Sequence, residues 1–582
     1  MQELKNLIIE KIEKLYNLKV QDITLDNPPK KELWDFCFWP FLLSKDLKKS
    51  PAQISNELLE ALKWETLIKD LNVAWPYLNI KLSNNIFKDM FLKAYNDFFV
   101  WFNVWNGKTI MVDYIWANVW KPLHIGHMCT PNQGQTIYNV YKKLWYNVIW
   151  DSHIWDWGII FWKLIYAYKA WWKEEKLKEN AVDYLLELYV KVTTESENDD
   201  SIDEKVRQEF KLLSEWNPES ISLWQKFTRY SIDAMQVELD RLHVRPDFDI
   251  WESFYEWLWL PKMWDYPDLT YNMKDIVKEL VDKWIATKNE DGSVWVVFDE
   301  STKIPSCILQ KRDGTHGYLA SDLAAVKYRM QNFNPEKIVY FVDVRQQLHL
   351  KQVFEISKNA WWLNESTELF HAYNWFVSWK EWAFSTRKWN IIKLKDLLDE
   401  AIDRAKKIIL EKRQDFSANE LEKLSEIIWI WAIKYWYLSK SRTTDVIFDW
   451  DEFMTFEGNS GPYIQYAYVR WLKILKKSWV GNFSLKSLWE WNFETDEEIE
   501  LVKELANYKE ILLKTANEYF PHILAWYSYN LTKKFNAFYN NVRVLEEEDE
   551  EKKKLKLMLV KLFLETLKDS FGLLWIEMPE EM

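Results

Sequence analysis

Two histidines flank a glycine in His124-Ile125-Gly126-His127, and imidazoles three residues apart fall on one face of a first helical turn. Each ring can donate a hydrogen bond to an oxygen that gains charge during phosphoryl transfer. A helix N-terminus adds free N–H groups and the positive end of its dipole, both suited to phosphate. Gly126 leaves bare backbone on which a purine can lie. Taken alone, H-x-G-H is short, and chance or a histidine satisfied inside a core accounts for it better.

To do this chemistry the turn must hand a buried strand over to a helix. "TIMVDYI" (Thr109–Ile115) is a short apolar run with β-branched residues, and helical spacing begins at His124. The pattern predicts a strand–loop–helix unit of the doubly wound α/β type. "YNVIWDSHI" (Tyr146–Ile154) and "KIVYFVDV" (Lys337–Val344) read as further buried strands. A charged stretch from about 165 to 235, including "TTESENDDSIDEKVRQEF", predicts a helical insertion with a solvated face. From Leu397 onward apolar stripes recur at helical spacing, as in "LKDLLDEAIDRAKKIILEKR". The expected domains are therefore 1–105, with helices and short strands, 106–400, of α/β type, and 401–582, all helical.

Composition adds an anomaly. The chain has 39 Trp and 11 Gly in 582 residues, where ordinary usage of about 7% glycine gives roughly 40. The two counts together match what a protein of this length carries in both residues combined. The glycine codon GGA differs from UGA by one base. Some bacterial lineages read UGA as glycine, while a common alternative table reads it as tryptophan. The expectation is that most of these tryptophans stand where the working protein has glycine. Trp295, inside the apolar run "DGSVW", fits as a true tryptophan, whereas "KLWYNVIWDSHIWDW" puts Trp where turns belong.

Hydrophobic content of 48% with 28% charged residues fits a soluble globular class. No apolar run reaches the ~18 residues of a membrane span. The first twenty residues are amphipathic at helical spacing and unlike a signal peptide. Cys37, Cys129 and Cys307 are scattered and support neither a disulfide framework nor a zinc site. A reducing cytoplasm is the expected compartment. Net charge of −13 gives no overall basic footprint, so any nucleic-acid contact has to come from local patches.

"VDYIWANVWKPLHIGHM" followed by "WYNVIWDSHIWDWGIIFWKLI" resembles the catalytic core of the arginyl-tRNA synthetases, of class I. Reading Trp120, Trp145, Trp155 and Trp162 as glycine improves the match at each point. His153 to Gly158 then reads H-x-G-D-W-G, with Trp157 a true tryptophan. The resemblance continues in order through "DFDIWESFYE", "LQKRDGTHGYLASDLAAVKYR", "VDVRQQLHLKQVFEI", "FSTRKWNIIKLKDLLDEA" and "MTFEGNSGPYIQYAYVRW", and so covers most of the chain. It implies a Rossmann-like class I catalytic domain, an N-terminal α+β domain touching the tRNA elbow and a C-terminal all-α anticodon-binding bundle.

The implied reaction is ATP-dependent ligation of L-arginine to tRNA(Arg) through arginyl-adenylate, by a monomer that needs tRNA bound before it activates arginine. Mg²⁺ accompanies ATP, and no protein metal site is expected. His124, Gly126, His127, Ser385 and Thr386 are the implied ATP contacts. Lys121 is expected to supply the charge that a lysine at position 386 would give in other class I loops, and Arg387 and Lys388 are expected on phosphate. Asp113, Asn118, Tyr318, Asp322 and Gln346 map onto arginine-binding positions; a carboxylate suits a guanidinium because it accepts two parallel hydrogen bonds. His153 and His349 also match family positions, with packing against the site as an equal reading. The chain departs from many relatives at Asp113 (Glu), Cys129 (Arg) and Ile160 (Gln), which weakens transfer of roles nearby. Tyr463, Tyr466 and Tyr468 beside Arg470, Lys473, Lys476 and Lys477 offer stacking and phosphate contacts, or core packing. Two rivals stand beside this reading. One is a synthetase of the same fold for another amino acid, disfavoured by the absence of zinc-type cysteines. The other is a catalytically inactive relative that binds RNA or a partner.

Overall fold

The computed structural model describes residues 2–580 apart from 27, 29–33, 75, 100–106, 117–122, 157–158, 174, 177–180, 245, 257–265, 376, 380–392, 413–416, 454, 456 and 479–491. Asn118, Trp120, Lys121, Ser385, Thr386, Arg387 and Lys388 lie outside the described residues. The chain divides into two compact units: residues 1–102, 470–510 and 529–567 form one, and residues 103–469, 511–528 and 568–582 the other.

The second unit carries the H-x-G-H turn. Its core is a five-stranded sheet built from β1 (Thr109–Asp113), β2 (Asn147–Ser152), β3 (Phe248–Asp249), β4 (Lys337–Tyr340) and β5 (Glu368–His371), in the order β5-β4-β1-β2-β3. Every pairing is parallel. Helix α1 (Ile125–Lys143) crosses over between β1 and β2, α2 (Tyr318–Phe333) precedes β4, and α3 (Gln347–Asn359) follows it. Helices cover such a sheet on its faces, so the middles of β1 and β4 are apolar. Ile110, Met111, Val112, Ile338 and Val339 are all buried. Alanines 320, 324 and 325 keep α2 thin enough to pack within the same core as Met111 and Ile338. A similar close approach fixes α1: a Cβ at Gly134 would stand 2.2 Å from Cδ1 of Tyr114, the residue after β1.

In a sheet of this order the connections from β1 and β4 leave in opposite directions, which opens a crevice outside their carboxyl ends. Register puts Asp113 beside both Asp151 and Tyr340, and Tyr340 beside His371, so the strand ends lie level at that crevice. The helices Ile159–Trp171, Ala181–Asn198, Asp200–Ser214 and Pro218–Arg241 fill the stretch read as a charged insertion. Asn217 starts the last of them, accepting from the N–H groups of Glu219 and Ser220 with Pro218 at the first helical position.

The first unit holds a four-stranded antiparallel sheet of Leu25–Asp26, Phe36–Phe38, Tyr77–Leu82 and Ile68–Ala74. Lys503 pairs with Asp35 at 2.7 Å, and Asn84 exchanges hydrogen bonds with the backbone of Phe493. Among the described residues, no helix is long and apolar enough to cross a membrane.

Candidate active site

The H-x-G-H turn is a helix cap made of imidazoles. His124 is extended (φ −129°, ψ 171°) and occupies the N-cap of α1, and its Nδ1 accepts from the Gly126 N–H at 3.1 Å. His127 reaches back, its Nδ1 accepting from the His124 N–H at 3.1 Å. This is the reciprocal arrangement usually built from Ser or Thr with Glu. Its consequence is chemical: with Nδ1 accepting, the proton of each neutral ring sits on Nε2. The two rings, 3.9 Å apart between centroids, therefore carry two Nε2–H donors at the positive end of a nineteen-residue helix. Gly126 is required here, since a Cβ would meet Cε1 of His124 at 2.9 Å. The His124 ring lies on that side of the glycine, where the sequence suggests bare backbone. His124 also forms an antiparallel bridge with Lys393, and the N–H of Leu394 bonds the Leu123 carbonyl at 2.7 Å. The chain that follows 380–392 is thus tied to this turn.

A second set of groups stands at the ends of β1, β2 and α2. Asp322 is buried, with Nε2 of His349 at 2.5 Å from Oδ2 and Nε2 of His153 at 3.2 Å from Oδ1. Burial pushes His153 below the ordinary histidine range, against the pull of Asp322 and Asp113, so it is neutral near pH 7. Tyr318, one turn before Asp322, is 44% exposed. Gln346 is half-buried, one turn before His349 on α3. Asp113 accepts from Nε1 of Trp116 at 2.7 Å and pairs with Nη2 of Arg329 at 2.7 Å. Arg329 also donates through Nε and Nη2 to Oδ2 of Asp151 at 3.0 and 2.7 Å. The indole of Trp155 lies 5.0 Å from the Tyr318 ring and 5.9 Å from that of Trp116.

Comparison with known proteins places this geometry in a family. Residues 100–450 match the catalytic domain of class I tRNA synthetases (R), residues 464–582 the DALR anticodon-binding domain, and residues 2–82 the arginyl-tRNA synthetase N-terminal domain. The chain belongs to the class I arginyl-tRNA synthetases. It is 34% identical over 587 residues to the arginine–tRNA ligase of Fusobacterium nucleatum, covering 100% of this chain and 99% of that protein. The enzyme of Clostridium perfringens is also 34% identical, over 590 residues, covering 99% and 100%. Among solved structures, the arginyl-tRNA synthetase of Thermus thermophilus superposes with a TM-score of 0.79 at 21% identity, and that of Plasmodium falciparum with 0.81 at 23%. Each is covered end to end or nearly so, at 100% and 99%, and both share the fold. The synthetase therefore has a class I catalytic domain, an N-terminal domain and a C-terminal helical DALR domain.

Within this synthetase the described candidates, His124, Gly126, His127, Asp113, Tyr318, Asp322 and Gln346, all lie on the elements that end or begin at the carboxyl side of the sheet. Three acids and a base missed by sequence reasoning lie beside them. Arg329 pairs with both Asp113 and Asp151. Glu252, pushed far above the carboxylate range by burial, accepts from the Ser321 hydroxyl at 2.7 Å. Asp156 accepts from the N–H and hydroxyl of Ser253 at 2.9 and 2.5 Å. A signal existed for Arg329: it is a charge on the buried face of α2, two turns beyond Asp322.

Asp156 yields a pH prediction. Burial raises its carboxyl to about 7 despite the Ser253 hydrogen bonds, against an ordinary value of 3.8. Between these values the unfolded chain has lost a proton that the folded chain keeps, so stability falls as pH rises. The loss is at most about 1.4 kcal/mol per pH unit. Urea midpoints of Asp156→Asn, which stays neutral, are expected to fall less between pH 5 and 7 than those of the parent. Parallel slopes would refute the assignment.

Proposed function

We propose that the chain activates L-arginine with ATP and passes it to tRNA(Arg), working as a monomer in the cytoplasm. The arginine carboxylate attacks the α-phosphorus of ATP, releasing pyrophosphate and leaving arginyl-adenylate. A ribose hydroxyl of the terminal adenosine then attacks the arginyl carbonyl and expels AMP. No protein nucleophile is needed, because positioning and charge stabilisation lower both barriers. The Nε2–H groups of His124 and His127 donate to the phosphate oxygens. Gly126 keeps backbone near the nucleotide. Lys121, Ser385, Thr386, Arg387 and Lys388 complete the phosphate site in this reading.

For arginine, Asp322 is the favoured carboxylate, because histidines rather than a guanidinium contact it. Asp113 already carries the guanidinium of Arg329, which sets its orientation toward the same crevice. Tyr318 and Gln346, with Asn118 from the sequence resemblance, are the proposed partners of the amino acid. Mg²⁺ enters with ATP, held by the phosphates; among the described residues no group of three or more His, Cys, Asp or Glu could hold a metal ion. The observation that carries the reading is the paired-imidazole cap, which follows β1, at the same strand ends as two buried carboxylates.

The test is arginine-dependent exchange of labelled pyrophosphate into ATP, with and without tRNA(Arg). Exchange that requires the tRNA is expected. Binding of tRNA without exchange, in protein decoded as its source decodes it, would instead identify an inactive relative.

A further inference from the structure

Among the described residues six helices end in the same way; one has His243 (φ 56°) at the critical position, and the other five put a tryptophan where a side chain is least welcome. Trp145, Trp216, Trp284, Trp361 and Trp575 have φ of 67°, 63°, 61°, 60° and 59°. Each follows the last residue of its helix by two positions. In each case its N–H closes onto the residue three back, while the N–H of the next residue reaches five back. Trp145 N–H bonds the Lys142 carbonyl at 3.0 Å and Tyr146 N–H that of Tyr141 at 3.1 Å. The same two bonds recur at Trp216 and Asn217, Trp284 and Ile285, Trp361 and Trp362, and Trp575 and Ile576. This double bond pattern demands a left-handed residue, and glycine is its usual occupant. A bulky residue there is an outlier.

Packing does not explain the choice. Trp284 is 95% exposed and Trp361 89%, so their indoles gain almost nothing by burial. Chance does not explain it either. Tryptophan supplies 39 of 582 residues, yet five of the twelve non-glycine residues at positive φ among the described residues.

A second, independent observation concerns indoles that are buried. Among the described residues, Nε1 of Trp155, Trp162, Trp251 and Trp431 is shielded from solvent with no hydrogen-bond acceptor. Buried tryptophans ordinarily place that N–H on a partner. Trp224 does so, donating to the Asp156 carbonyl at 2.9 Å from the middle of its helix. Glycine at the orphaned positions leaves no donor to satisfy. Trp155 is the one that matters for activity, because its ring fills space against Tyr318 at the amino-acid side of the site.

We infer that the working protein carries glycine at positions 145, 216, 284, 361 and 575, and at 155, where the missing indole opens the arginine pocket. Only the consequence drawn for position 155 rests on the arginine-ligase reading. The five helix ends stand on backbone geometry alone, so the two parts can fail separately.

The decisive experiment is tandem mass spectrometry of peptides from the protein purified from its source. Glycine is expected at the six positions, with tryptophan retained at 224 and 295 as internal controls. Tryptophan at the five helix ends would overturn the inference. A second measurement uses recombinant chains. Replacing the five helix-end residues (Trp145→Gly, Trp216→Gly, Trp284→Gly, Trp361→Gly and Trp575→Gly) is expected to raise the thermal midpoint by roughly 5–10 °C and leave the KM for arginine unchanged. Adding Trp155→Gly is then expected to lower that KM by about ten-fold or more. An unchanged midpoint counts against the helix ends, and an unchanged KM against position 155.

Discussion

The variant His127→Ala is expected to fold and to lose about 10²- to 10³-fold in kcat for arginine-dependent pyrophosphate exchange. Two separate jobs fall on this ring. Its Nδ1 accepts the His124 N–H, which is a capping bond and contributes about 1 kcal/mol to stability. Its Nε2–H, fixed as a donor by that same bond, stands at the helix N-terminus, where the proposed reaction builds phosphate charge in its transition state. Loss of the cap alone lowers the thermal midpoint and leaves turnover per folded molecule unchanged. Loss of the phosphate donor lowers kcat and leaves the KM for arginine nearly constant. His127→Asn separates the two, because its amide oxygen can restore the cap without placing a donor where Nε2 stood. A variant whose kcat stays within about two-fold of the parent once corrected for folded fraction would remove His127 from the reaction.

The turn, the strands and the helices around this site are written locally, which is why they are legible. Apolar β-branched runs form β1 and β4, and the H-x-G-H spacing places both histidines on one turn. Strand ends are less legible because tertiary contacts set them. "YNVIWDSHI" reads as strand to Ile154, yet β2 stops at Ser152, where His153 turns toward Asp322. "KIVYFVDV" reads as strand to Val344, yet β4 stops at Tyr340; beyond it the Phe341 N–H reaches the Asp113 carbonyl at 2.8 Å, and an isolated bridge pairs Asp343 with Asn374. Of the tyrosines read as stacking or core residues, Tyr468 is core and Tyr466 is exposed. The Arg329 contacts were beyond local reading altogether. Arg329 lies 178 residues from Asp151 in sequence, and only the register of β1 against β2 brings the two carboxylates to one guanidinium.

That guanidinium carries the largest stability effect expected in the molecule. Arg329, Asp113 and Asp151 are each only 1% exposed at the side chain. Burial pushes Asp151 up to about 7; Arg329 pulls it down while Asp113 pushes it further up. Arg329→Met removes the only cation from two buried acids that the described residues show sharing it, and is expected to cost about 3–5 kcal/mol. The cost should depend on pH in a definite direction. Without Arg329 the Asp151 carboxyl is driven further above its unfolded value, so the folded chain holds a proton that the unfolded chain has released. The variant therefore loses stability as pH rises, and urea midpoints should separate from those of the parent more at pH 8 than at pH 5. The triple variant Arg329→Met, Asp113→Asn, Asp151→Asn carries no buried charge at this point, and its expected midpoint lies close to the parent's. It nonetheless loses the geometry that holds position 113 at the end of β1, so its exchange activity should stay low. Recovery of stability without recovery of activity is the outcome that assigns Arg329 to positioning; recovery of both would reduce it to a structural ion pair.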